Sequence, residues 1–264
     1  MIKLIASDLD GTILQGKNHT VPEELINIIN SLGKKGVHFV AASGRPYNNL
    51  VKLFEQVTVP MSFVSENGGM YVFNNKMYFP KVHTADVITD LTNLVRKEED
   101  CYLMYSCKHT TYTEPKSQDF IDYMSEIVNF DLTLTDDLLS LEDMPMKLAI
   151  CNPKGIELIE KKYKDLFQDR VHVITSGNKW LDFMPYGANK GNALEHITKM
   201  LHIAPEECMA FGDQWNDMEM LKFVGTSYAM ANAVAGISDF CTHTTDSVIP
   251  VLKSLLETYP EFSA

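Results

Sequence analysis

The chain has 264 residues, 45% hydrophobic and 22% charged, a globular balance that excludes disordered and fibrous classes and allows one large domain or two smaller ones. Its formal net charge is -12, with lysines and arginines scattered rather than gathered into the basic stripe that counterion release demands, so nucleic acid is excluded as a partner. Five cysteines without a CxxC pair argue against a disulfide framework and a zinc cage, and no run of about 18 apolar residues offers a membrane span, so a soluble cytoplasmic protein with reduced thiols is expected.

Taken in chain order, Ile2–Ser7 reads as a strand, Pro22–Leu32 as a helix, Val37–Ala42 as a strand, Tyr47–Phe54 as a helix and Met61–Val64 as a strand. Thr20 and Glu23 have the spacing of a capping box for the first helix, and Gly33 and Gly36 are expected to end it. Strand–helix alternation of this kind implies parallel strands joined by crossovers, hence a doubly wound α/β sheet. Met70–Phe73 and Met77–Phe79 flank Asn74-Asn75-Lys76, a hairpin signal. From about Lys81 to Pro185 the texture changes. Predicted helices at Ala85–Arg96, Gln118–Val128 and Gly155–Phe167 mix with strands at Tyr102–Tyr105, Lys147–Cys151, Val171–Thr175 and Lys179–Met184, the last two framing a Ser176-Gly177-Asn178 hairpin. This stretch reads as an α+β domain inserted into the sheet domain, with residues 1–83 and 186–264 forming the core and 84–185 the insert. The first rhythm returns with helix Gly191–Leu201, strand Cys208–Phe211, helix Asp217–Phe223, strand Thr226–Met230 and helix Ser247–Leu256.

Ligands of open α/β sheets sit outside the carboxyl ends of the strands, so residues there carry the functional argument. Asp8-Leu9-Asp10-Gly11-Thr12 follows the first strand. One carboxylate there can act as nucleophile and the other can exchange protons with a leaving group, while the Gly11 turn offers backbone N–H groups to an anion. Ser43-Gly44-Arg45 follows the second predicted strand and suits phosphate oxygens, although Ser43 also fits an ordinary N-cap, and Arg45 is either a second phosphate donor or a surface residue. Lys190 opens a helix, where its charge opposes the helix dipole; it either meets an anion or lies in solvent. Asp213 and Asp217, in Gly212-Asp213-Gln214-Trp215-Asn216-Asp217, can meet one hard cation, and carboxylate ligands suit Mg²⁺. Trp215 reads as a packing residue. The histidines, His83, His109 and His172 among them, show no ligand spacing.

Together these four segments resemble the ordered motifs of the haloacid dehalogenase superfamily, and the insertion between the serine and lysine motifs is similar to its Cof-type phosphatases. Glu66-Asn67-Gly68-Gly69 and Trp180-Leu181-Asp182-Phe183-Met184-Pro185 resemble further segments of that group, whereas Thr245-Asp246-Ser247-Val248 departs from its usual Asp-Gly-Val. The resemblance implies hydrolysis of small phosphomonoesters, such as sugar phosphates or phosphorylated cofactors, through an aspartyl phosphate on Asp8. Asp10 would be the acid and base. Mg²⁺ would be held by Asp8, the Asp10 carbonyl and Asp213, with Asn216 and Asp217 orienting that set. Gly11, Ser43, Gly44 and Lys190 would hold the phosphate, and Arg45, Asn178, Trp180 and Asp182 are candidate substrate contacts from the core and the insert. A phosphomutase or phosphotransferase using the same aspartate is the alternative. A receiver-like signalling module is disfavoured, since it needs neither a proton donor beside its aspartate nor a lid. No pattern specifies an oligomeric state.

Overall fold

The computed structural model describes residues 1–16, 19–79, 81–127, 132–176 and 178–260. Chain contacts divide it into two units, Met1–Tyr78 with Asn189–Ala264, and Phe79–Ala188. These divisions lie a few residues from those expected at 83/84 and 185/186. His83 falls in the second unit because its Nε2 donates to the Phe183 carbonyl, 3.0 Å away.

In the first unit β1 (Leu4–Ser7), α1 (Glu23–Lys34), β2 (His38–Ala42), α2 (Tyr47–Leu53) and β3 (Met61–Ser65) alternate as the apolar pattern dictates, followed by the hairpin β4 (Met70–Phe73) and β5 (Lys76–Tyr78). Asn74 and Asn75 have φ of +49° and +59°, the paired left-handed backbone of a two-residue hairpin turn, which leaves Lys76 in the strand rather than the loop. α1 has Pro22 as its N-cap with no side-chain hydrogen bond, so the expected Thr20–Glu23 capping box does not form. Proline lacks a backbone donor and carries the preset φ of a helix start, which moves the boundary downstream of Thr20. The helix also runs through Gly33 and stops before Gly36.

The second unit contains α3 (Ala85–Val95), β6 (Tyr102–Ser106), β7 (Thr111–Thr113), α4 (Gln118–Asp122), β8 (Leu132–Leu134), β9 (Lys147–Cys151), α5 (Glu160–Phe167), β10 (Val171–Ser176) and β11 (Trp180–Pro185). The helix expected over Gln118–Val128 is shorter: α4 passes into a π-helical turn at Tyr123–Ile127, and Val128 lies outside the described residues. So does Gly177 of the predicted hairpin, although its flanking strands pair antiparallel from Val171↔Pro185 to Ser176↔Trp180. Gly155–Phe167 is likewise split into a 3-10 turn at Ile156–Leu158 and α5. The sheet order is β10-β11-β9-β6-β7-β8. One face packs Leu103, Tyr105, Leu148, Ile150, Leu181 and Phe183 under α3 and α5; the other packs Met104, Ala149 and Cys151 against Phe120 and Met124.

The chain then completes the first unit with α6 (Lys190–Leu201), β12 (Cys208–Gly212), α7 (Met218–Phe223), β13 (Thr226–Met230), β14 (His243–Thr245) and α8 (Val248–Glu257). Its sheet order is β14-β13-β12-β1-β2-β3-β4-β5, with the six strands from β14 to β3 parallel. β1, β2, β3, β12 and β13 carry apolar side chains on both faces, whereas the edge strand β14 is His-Thr-Thr. Ile5, Phe39, Met209 and Phe211 pack with α1, α2 and α8, while Leu4, Ala6, Val40, Val64, Cys208 and Ala210 pack with α6 and α7. At the departure from the family pattern, Ser247 caps α8 by accepting a hydrogen bond from the Ile249 N–H at 3.4 Å. No disulfide joins any of the five cysteines, and burial pushes Cys101 up to about 11 and Cys151 and Cys208 up to about 12. No helix among the described residues is long and apolar enough to cross a membrane.

Candidate active site

Strands β1, β2 and β3 run outward in one direction from β1, and β12, β13 and β14 in the other, so chain order reverses between β1 and β12. That reversal opens a crevice at the carboxyl ends of the two strands. Asp8 and Asp213 immediately follow them, and the Asp8 N–H donates to the Phe211 carbonyl at 3.0 Å.

Lys190, the first residue of α6, is fully buried, and its Nζ lies 2.5 Å from Asp8 Oδ1 and 2.6 Å from Asp217 Oδ1. The solvent-exposed alternative for this lysine is therefore wrong. Asn189 compensates for the position by capping the helix, accepting from the Asn192 N–H at 2.7 Å. Asp217 uses its other oxygen to accept from the N–H groups of Asp213 and Gln214, each at 3.0 Å. Thr12 Oγ1 donates to Asp213 Oδ1 at 3.1 Å. Asp8, Asp213 and Asp217 each bring a carboxylate oxygen within 4.8 Å of the others.

Burial raises the pKa of the Asp8 carboxyl well above its ordinary value, the Asp217 charge adds to this, and Lys190 opposes both. Burial and Asp217 likewise raise Asp213. Burial works against the Lys190 ammonium, but the carboxylates of Asp217 and Asp8 outweigh it and hold its pKa above the ordinary value. Three carboxylates thus share one ammonium, a surplus of negative charge held among hard oxygen donors. That donor set fits Mg²⁺, which takes few protein carboxylates. Asp217, with Lys190 on one oxygen and two amides on the other, is suited to orienting the set.

Asp10 pairs with Arg45. Its carboxylate, about half exposed, takes Arg45 Nε at 2.8 Å and Arg45 Nη2 at 2.5 Å, so Arg45 is not a free surface residue, and the Asp8 charge also acts on its guanidinium. Ser43 is buried and its Oγ accepts from the Arg45 N–H at 3.1 Å, but α2 takes Pro46 as its N-cap; the N-cap alternative for Ser43 fails. Gly11 requires correction as an amide donor to phosphate, because its N–H is taken by the Leu14 carbonyl at 2.9 Å. What the glycine supplies is room: φ is +89°, and a Cβ there would come 2.3 Å from Asp213 Oδ2.

Several contacts were not anticipated from the sequence. Asn67 Oδ1 accepts from Asn216 Nδ2 at 2.9 Å, and Asn232 Nδ2 donates to the Gly11 carbonyl at 2.9 Å. A residue at a strand's carboxyl end was the available signal for Asn67; Asn232, on an irregular loop, offered none. Trp215 is 51% exposed and only edges Phe240, contrary to its reading as a packing residue. The insert's candidates lie in the second unit. Asp182 is buried with Lys147 Nζ at 3.9 Å, Trp180 is partly buried against the Met104–Phe120 cluster, and the Asn178 carbonyl accepts from the Ile156 N–H at 2.9 Å.

A family model for haloacid dehalogenase-like hydrolases matches residues 5–249. The 5-amino-6-(5-phospho-D-ribitylamino)uracil phosphatase of Escherichia coli K12 is 29% identical over 237 residues, covering 89% of this chain and 88% of that protein. An enzyme of the same name from Bacillus subtilis 168 is 25% identical over 248 residues, covering 92% and 91%. Among solved structures, one from Eubacterium rectale superposes with a TM-score of 0.86 at 26% identity, covering 96% of this chain and 99% of that one. A haloacid dehalogenase-like hydrolase from Bacteroides thetaiotaomicron shares the fold with a TM-score of 0.83 at 23% identity, covering 97% and 100%. With the family model spanning nearly the whole chain, the protein belongs to the haloacid dehalogenase-like hydrolases, as an enzyme of the phosphatase type.

Proposed function

We propose that this enzyme hydrolyses small phosphomonoesters in the presence of Mg²⁺ by way of an aspartyl phosphate on Asp8. The observation that carries the reading is the meeting of Asp8, Lys190 and Asp213 at the one place where the parallel sheet reverses order. An Asp8 oxygen attacks phosphorus in line, the ester P–O bond breaks, and the departing alkoxide takes a proton from Asp10. A water then gives a proton to Asp10 and attacks the same phosphorus, releasing inorganic phosphate and regenerating Asp8. Positioned proton transfer of this kind contributes roughly 10²–10⁴ in rate. Lys190, Ser43 and the Gly44 N–H hold the transferring oxygens, since phosphoryl transfer depends on placement and charge stabilisation. Asp8, Asp213 and the Asp10 carbonyl would hold Mg²⁺, which when bound offsets repulsion between the nucleophilic carboxylate and the phosphate dianion.

The second unit selects the organic part of the substrate, with Asn178, Trp180 and Asp182 as its candidate contacts and Arg45 contributing from the first unit. The two relatives named for a phosphorylated ribitylaminouracil make a polyol phosphate carrying a planar base one member of the substrate class to be screened. The decisive experiment measures phosphate release from a panel of phosphorylated metabolites with Mg²⁺ and with excess chelator. Release that requires the metal, with a hydroxylamine-labile phosphoryl label absent from Asp8→Asn, is expected. An isomerised sugar phosphate without free phosphate would turn the assignment to a mutase, and full activity in chelator would end the metal proposal.

A further inference from the structure

One turn of the first unit touches three of the four motif segments, yet the chemistry above gives it no part. It is Glu66–Gly68, which follows β3. Three successive residues there have left-handed backbones, with φ of +50° at Glu66, +55° at Asn67 and +92° at Gly68. Non-glycine residues hold such conformations only where their surroundings over-determine them, and such places cluster at functional sites.

The surroundings here are specific. The Glu66 N–H donates to the Arg45 carbonyl at 3.2 Å and the Asn67 N–H to the Ser43 carbonyl at 3.0 Å, which ties the turn to the serine segment along its main chain. The buried Asn67 amide rests on Gly44, where a Cβ would come 3.0 Å from Oδ1, and the same oxygen accepts from Asn216 Nδ2 at 2.9 Å. Gly68 packs on the main chain of Asn189, the residue before Lys190; a Cβ at this position would stand 2.3 Å from the Asn189 carbonyl oxygen.

We propose that Asn67 is a positioning residue: its amide sets the spacing between the Ser43–Gly44 segment and the Asn216 loop, and thereby the seat of the transferring phosphate. This rests on the roles assigned to those segments in the proposed function. Asparagine suits the task because it tolerates the left-handed region and presents a short, rigid hydrogen-bonding group. Glycine would accept the backbone with less strain but would remove the bridge. Asn67→Gly therefore separates folding from positioning.

The experiment compares wild type, N67G, N216A and the double variant. It reads the thermal midpoint, kcat and KM for a small aryl phosphate with Mg²⁺, and the calorimetric affinity for inorganic phosphate with Mg²⁺. N67G should stay folded at the assay temperature, its midpoint lowered only modestly by the lost buried hydrogen bond, while kcat falls about 100-fold, the scale of a misplacement near 1 Å. Phosphate affinity should fall about tenfold, and adding N216A to N67G should change kcat by less than about threefold, as residues acting through one bridge are not additive. The proposal is overturned if N67G stays within about threefold of wild type in kcat and phosphate affinity, if the two substitutions multiply in full, or if lost activity merely follows lost folded protein. Wild type that cleaves no phosphate ester would overturn the hydrolase reading instead, and phosphate affinity in wild type and N67G would then decide the positioning role; wild type that binds no phosphate overturns both.

Discussion

Each unit buries a lysine beside carboxylate, Lys190 beside two and Lys147 beside Asp182, and the two lysines differ in what their sheets do with polar groups. In the first unit the central strands are mostly apolar and the charged groups gather beyond their ends, where Lys190, fully buried, meets Asp8 and Asp217 at 2.5 and 2.6 Å. In the second, charge sits within the sheet itself: Lys147 on β9 and Asp182 on β11 stand 3.9 Å apart, on strands whose neighbouring residues form the apolar face. A parallel sheet covered on both faces has only its strand ends left for chemistry. An antiparallel sheet, with faces that differ, can place polar side chains along a face and change them without disturbing the catalytic groups. One sheet gathers its buried charges beyond the strand ends, and the other carries an ion pair on the strands themselves.

The largest expected effect falls on the first unit. Asp8→Asn should lower kcat by roughly 10⁴-fold or more, the scale of losing a covalent nucleophile, while in chelator it should melt no lower than wild type, because burial first and the Asp217 charge second disfavour the charged carboxyl it replaces, outweighing Lys190. A melting point well below wild type would mean that Asp8 holds the fold together. Next, Lys190→Met should cost roughly 10²–10³-fold in kcat on a small aryl phosphate, whereas Lys147→Met should leave that turnover within about tenfold and alter preference among larger substrates. Equal losses would erase the contrast between the two lysines. Phe183→Ala removes a fully buried ring packed edge-on against Tyr163 and Phe167 and should destabilise the second unit by about 3–5 kcal/mol. Calorimetry should resolve it as an added early transition; a single displaced transition would show that the units melt as one.

The smallest effect concerns acid. Burial lowers the pKa of His83 to about 4, and with Nε2 donating to Phe183 the buried Nδ1 has, among the described residues, no partner that would accept a proton on it. The unfolded chain binds the proton near pH 6.5, so stability from neutral His83 is fully present above that pH and is lost as pH falls toward 4, on the order of 3 kcal/mol in total. His38 in the first unit, lowered to about 4 by burial, adds a loss of the same sign. Urea titrations of wild type and His83→Gln at pH 7 and pH 5 should therefore converge as pH falls. Parallel curves would show that His83 is not held neutral.

The parallel sheet was legible because strands buried on both faces are written as continuous apolar runs, and Asp8 and Asp213 were legible as candidate site residues because they follow two of those runs directly. β7 and β8 were not, since Thr111–Thr113 and Leu132–Leu134 are three residues long and too short for any period to show. β14, His243–Thr245, escaped for the same reason. At the site, residue types and order pointed to Asp8, Lys190 and Asp213. The engagement of the Gly11 N–H by Leu14, the Asp10–Arg45 pair and the Asn67–Asn216 bridge depend on how loops distant in sequence fold onto one another, and no local pattern encodes them.

The central strand of the catalytic sheet has a late neighbour. Leu4 lies beside His38 on one flank and beside Cys208 on the other. During synthesis β1 therefore waits with one open flank while the whole second unit, residues 79–188, emerges as an unbroken segment able to collapse on its own contacts. At 5–20 residues per second this interval is on the order of ten seconds or more. Throughout it, Asp8 exists without Lys190 and Asp213, so the candidate site is incomplete until β12 docks.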